Sequence, residues 1–334
     1  MASSPVWKLL LGTGFLFGLG LPLSQLGAQH GVDVVAFALW PTLAAALGLA
    51  ALGWFRHGPL QINARLIRFG LLAGTFGHAV PASAGYWLAR ETGAGFAAMA
   101  YTMPPVLTLA ISLMLRLEQP LARRIGAVAL GLAGALLLVI GRGVAYDVGI
   151  LAIATLLLIP LSIAGANVYR ALHLPKAVPT EWLAALMLLS SAGVLAASSS
   201  LHGSLALPLR MDALMWPAFQ AIAMMAAYLL FFALQRTAEP VTVSFVGYIS
   251  MTTGMAVAAL GFGEQLPAIV WPALALIAGS IWLTWRSASS ARLTAPTSSL
   301  PAPSRSKCPR IRSSQSPSGA TAPDCGAMGV LACT

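Results

Sequence analysis

Long apolar runs separated by short polar breaks occupy the first 285 residues of the chain. They cover 9–29, 34–55, 69–89, 92–115, 125–141, 148–169, 182–201, 213–235, 240–263 and 265–285, and nearly all are free of charge. At a rise of ~1.5 Å per residue, about 20 apolar residues cross the hydrocarbon of a bilayer as a helix. The runs are continuous and do not alternate, so a transmembrane β-barrel is excluded. The pattern predicts an all-α integral membrane protein of ten transmembrane helices. Its clearest punctuation is the hinge Arg116-Leu-Glu-Gln-Pro-Leu-Ala-Arg-Arg124, which joins two apolar runs by a tight polar turn.

Composition agrees. The 334 residues are 58% hydrophobic and 8% charged, with a mean hydropathy of +0.82. A soluble domain carries roughly a quarter charged residues. The net charge of +10 could suggest nucleic acid, but the basic residues stand singly between apolar runs, where membrane flanks stand. No nucleic-acid partner is expected. With Lys8 inside, the inner loops carry Arg56, Arg65, Arg68, Arg116, Arg123, Arg124, Arg170, Lys176, Arg236 and Arg286. The outer loops carry only Arg90, Arg142 and Arg210. This asymmetry predicts a multi-pass protein of the cell inner (plasma) membrane with both termini cytoplasmic. The first run is read as a span and not a signal peptide, because Leu26-Gly27-Ala28 places Leu where a cleavage site needs a small residue.

The runs divide into two fives. Arg90, Ala110, Glu118 and Gln119 fall without a gap on Arg236, Ala256, Glu264 and Gln265. Five spans per half turn the second half upside down, the build of many secondary transporters. The expected organisation is a cytoplasmic N-terminus at 1–8, a first five-helix repeat at 9–141 and a second at 148–285. A basic tail rich in Ser, Pro and Ala follows at 286–334 and is expected to be disordered. All three cysteines, Cys308, Cys325 and Cys333, lie in that tail, so the membrane part has no thiol chemistry.

Several motifs resemble the EamA-type branch of the drug/metabolite transporter superfamily. They are Leu117-Glu118-Gln119-Pro120-Leu121 followed by the glycine series Gly126 to Gly134, Pro104-Pro105, and Gly12-Thr-Gly14-Phe-Leu-Phe-Gly18. To these add Asn167-Val-Tyr-Arg170 with Leu174-Pro175, and Gly263-Glu264-Gln265-Leu266. The resemblance covers about 8–285. It implies an alternating-access carrier, often an exporter of amino acids or other small metabolites.

Candidate solute contacts are the polar or helix-breaking residues inside the runs. His78 lies deep in its span, where an ionisable ring either handles a proton or solute or is a neutral ring bonded between helices. Pro104 and Pro105 break a helical ladder, either to line a cavity or simply to kink. Ser250 and Thr252 lie near Tyr248 and serve either solute or helix packing. Trp40, Gln25, Tyr101, Tyr228 and Asn167 complete the set, with interface anchoring or capping as their alternatives. Glu118 and Glu264 read as structural, because each precedes a helix start that favours a carboxylate. Gly14/Gly18 and Gly70/Gly74 have the spacing of close helix contacts. No lysine or arginine is expected at depth within a span. No metal cluster, nucleotide motif or cofactor is expected.

The expected function is secondary transport of a small neutral or zwitterionic solute such as an amino acid, with export the favoured direction. The cavity would be lined by spans 1–4 and 6–9. Proton coupling and a homodimer face remain open. An embedded sensor or assembly subunit, and less readily a membrane-embedded enzyme, are the alternatives.

Overall fold

The computed structural model describes residues 4–117, 122–142, 150–202, 205–207, 210–262, 268–269, 271–273, 275–280 and 282–283. Glu118, Glu264 and the tail with its three cysteines lie outside the described residues. Among the described residues the regular structure is entirely helical.

Helices α1 (Ser4–Gly18) and α2 (Gly20–Gln29) form one apolar run broken at Leu19. Pro22 causes the break, because it has no N–H for the carbonyl of Gly18. Asp33 caps α3 (Val34–His57) by accepting from the Val35 N–H at 2.9 Å. Asn63 caps α4 (Ala64–Gly74) through Leu66 in the same way. A π-turn, Thr75–Ala79, joins α4 to α5 (Val80–Thr92), which ends at Gly93 with φ 89°.

The next run is also interrupted. It comprises α6 (Ala94–Ala98), a 3₁₀ turn (Met99–Thr102) and α7 (Pro104–Met114). Pro104 and Pro105 supply no N–H, so the α-ladder cannot pass through them. Helix α7 closes in a Schellman turn. Arg116 is left-handed (φ 54°), and the Leu117 N–H donates to Ser112 O at 2.8 Å. Then follow α8 (Ala122–Arg142), α9 (Ile150–His173), α10 (Thr180–His202) and α11 (Met211–Thr237). The run after α11 divides at Phe245 into α12 (Pro240–Ser244) and α13 (Val246–Phe262).

Six of these helical segments are long and apolar enough to cross a membrane. They are Val6–Gln29, Val34–His57, Ile150–His173, Thr180–Ser198, Met211–Thr237 and Pro240–Phe262. Shorter apolar helices lie at Ala100–Met114, Ile125–Gly134 and Trp271–Ser280. Large apolar side chains such as Phe15, Leu47, Phe55, Leu157, Phe219 and Leu260 face outward, as a lipid-facing surface requires.

Helices before residue 142 pack on helices after residue 150. Helix α3 lies on α10 and α11, and α1 lies on α11 and α13. Helix α9 lies on α4, α5 and α7. Small residues permit this closeness. A side chain on Gly18 would meet Ser250 O at 2.6 Å, and one on Gly74 would meet Met187 O at 2.3 Å. Lipid tails are as apolar as leucine, so such backbone approach is a main source of cohesion between membrane helices.

Candidate functional site

One cavity of about 130 Å³ lies among these helices. On α11, Gln220, Met224, Tyr228 and Phe231 face it, the spacing of one helical stripe. Opposite them the wall is irregular backbone. Gly20 and Leu21 lie beside the α1/α2 break, and Gly77 and His78 lie in the π-turn. Tyr101 and Pro104 flank the end of the 3₁₀ turn, and Val243, Ser244, Val246 and Gly247 straddle the α12/α13 break. Non-helical backbone inside a membrane is tolerated where it lines a cavity, and all four interruptions do so here.

The π-turn stops for a local reason. Pro81 has no N–H, so it cannot serve the carbonyl of Phe76 five residues earlier, the π partner. The Ser162 hydroxyl of α9 donates to that carbonyl instead, at 2.6 Å. The wider turn presents His78, which is 8% exposed, to both α3 and α11. The Thr42 hydroxyl donates its single proton to Ala38 O at 2.6 Å. Its oxygen therefore accepts from His78 Nε2–H at 2.9 Å. That leaves Nδ1 as the acceptor for the Tyr228 hydroxyl at 2.8 Å. The ring is thus the neutral Nε2–H tautomer, held at both nitrogens. Tyr228 also meets His78 and Phe17 edge to face.

Arg170 is the largest departure from the sequence reading. It was expected in an inner loop. Helix α9 instead continues to His173, and Arg170 is 2% exposed on the cavity wall. Its Nη2 donates to Asn167 Oδ1 at 2.6 Å, and its Cζ lies 5.0 Å from the centre of the Phe231 ring. Nε and Nη1 have no hydrogen-bond partner among the described residues. The fit depends on Gly77, where a Cβ would stand 2.0 Å from Nη1.

The structure brings together His78, Tyr101, Pro104, Asn167, Tyr228 and Ser250 at the cavity. The Tyr101 hydroxyl donates to Pro81 O at 3.2 Å. The remaining predicted residues lie elsewhere. Trp40 is 38% exposed, and its Nε1–H donates to Leu205 O at 2.9 Å. Gln25 lines a separate recess with Tyr86 and Arg90. Pro105 is buried beside the cavity without lining it. Tyr248 is fully buried and packs on Phe245, and Thr252 donates to Tyr248 O at 2.9 Å. Sequence reasoning missed Arg170, Tyr86, Phe17 and Phe231 as wall residues. Gln220 Nε2–H donates to the Tyr86 hydroxyl at 3.3 Å, and its Oε1 has no partner among the described residues. Among the described residues no group of three or more His, Cys, Asp or Glu gathers to hold a metal.

Three comparisons bear on this arrangement. Residues 6–140 match the model of the EamA-like transporter family, which belongs to the drug/metabolite transporter superfamily. No curated protein matches the chain. A solved crystal structure of a protein matches 85% of this chain and 98% of its own, at 18% identity and a TM-score of 0.66. At that identity the likeness concerns the fold alone.

Proposed function

We propose, from the premise that residues 6–140 are an EamA-like transporter segment, that the chain is a ten-helix secondary carrier built as two inverted five-helix halves. It moves a small neutral or zwitterionic metabolite such as an amino acid through alternating access, in the export direction. It lies in the inner (plasma) membrane with both termini cytoplasmic.

The observation that carries this reading is the cavity. Its wall draws on helices from both halves, and its polar groups are few and convergent. The packing adds support. Number the runs one to ten and exchange each with the run five places away. The contact of α1 with α11 then maps onto that of α9 with α4 and α5. The contact of α1 with α13 maps onto that of α9 with α7, and α3 with α10 maps onto itself. A pseudo-two-fold relation predicts these correspondences. His78 supplies a place for a proton, because a second proton on Nδ1 requires only that Tyr228 turn from donor to acceptor.

Uptake of labelled neutral amino acids and small metabolites into proteoliposomes tests the proposal, with and without an imposed pH gradient. Solute flux is expected, with its gradient dependence lost in His78→Ala. A folded protein that carries no solute across the bilayer overturns the reading and returns weight to an embedded sensor or assembly subunit.

A further inference from the structure

We infer that Arg170 is the anion anchor of the cavity and that the transported solute presents a carboxylate to it. This rests on the transporter reading and narrows its solute to one bearing that group.

A guanidinium is costly to take out of water unless its N–H groups find acceptors. Arg170 is 2% exposed, yet among the described residues only Nη2 has an acceptor, the neutral amide of Asn167. Among them Nε and Nη1 have no hydrogen-bond partner, and the ion pairs do not include Arg170. The surroundings nevertheless hold the group in place. Asn167 fixes one edge, Phe231 lies under its face, and Gly77 leaves the space that Nη1 fills. A cation so positioned on a cavity wall, with two of its nitrogens lacking an acceptor among the described residues, is suited to an anion.

The anion is singly charged. Arg170 is the one lysine or arginine among the described residues that line the cavity. One guanidinium pairs with one carboxylate, whereas a phosphate dianion carries a second negative charge for which this lining offers no further lysine or arginine. The group also binds at one end of an elongated space. Gln220 stands eleven residues from Phe231 on α11, which is ~16 Å along the helix axis. A small solute held at Arg170 therefore lies beside Tyr228 and His78 and does not reach Gln220.

The test uses the full chain in lipid nanodiscs. The probes are L-alanine, L-leucine and L-phenylalanine, the primary amide of each, and inorganic phosphate. At least one acid is expected to bind about tenfold or more tightly than its own amide. That ratio should fall to near one in Arg170→Met and recover in part in Arg170→Lys. Ligand-free Arg170→Met should melt no lower than wild type, because it removes an unpaired buried cation. The anchor is overturned if acid and amide bind alike in wild type, if no acid binds, or if phosphate binds in their place. An unchanged ratio in the variants overturns it too, as does a large fall in the ligand-free melting temperature of both. Flux assays separate the two readings. Arg170-dependent binding of an acid that never crosses the bilayer ends the transporter reading and keeps the anchor. Flux whose preference for acid over amide ignores Arg170 does the reverse.

Discussion

The chain Tyr228–His78–Thr42–Ala38 determines where each proton sits. Thr42→Val removes the acceptor for Nε2–H while keeping the shape. A buried donor left without a partner costs about 1–3 kcal/mol. The variant should therefore unfold earlier in a thermal melt, and Thr42→Ser should restore most of the loss. Gly77→Ala should behave differently. Its new methyl would displace Nη1 of Arg170, so solute binding should fall by more than stability does, as nanodisc binding and melting will compare. At this scale the sequence was half legible. His78, Tyr228 and Pro104 stand out because each is polar or lacks an N–H within an apolar run. Arg170 does not stand out. It sits near a span end, where a basic residue ordinarily marks a flank, and its burial depends on a glycine far away in sequence. Trp40 and Thr252 are equally conspicuous in the sequence but point elsewhere, because these helices are apolar on most sides and pattern does not identify the cavity face.

Among elements, the π-turn has no signature in hydrophobic period. Where it stops is readable only in hindsight, as Pro81 five residues after Phe76 with a hydroxyl supplied from α9. That explanation predicts a coupling. Ser162→Ala should destabilise by about 1 kcal/mol by leaving Phe76 O without a donor. In a Pro81→Ala background, where a backbone N–H is available, the same change should cost less. A double-mutant cycle on thermal unfolding measures the difference. The helix limits themselves were largely legible, since Asp33, Asn63, Gly93 and Pro104 are ordinary start and stop signals.

For the whole molecule, the distribution of arginine predicted an orientation that side-selective labelling can check. After the native cysteines are replaced by serine, Gln61→Cys should react with an impermeant maleimide only in opened cells. Ala206→Cys should react in intact cells. The reverse pattern would invert the topology. The membrane class was evident from composition alone. How the helices of the two halves meet was not, because it is decided by glycines at contact points and not by apolar content.

The four interruptions around the cavity also bear on mechanics. An unbroken helix resists bending along its whole ladder of hydrogen bonds, whereas one already interrupted has a joint. Joints at Leu19, Thr75–Ala79, Met99–Thr102 and Phe245 confine compliance to a ring about the cavity. Helix α10, which runs without interruption or an internal proline, is the strut against which that ring can flex. Stiffness and give are thus assigned to different rods, and the joints are the parts nearest the cavity.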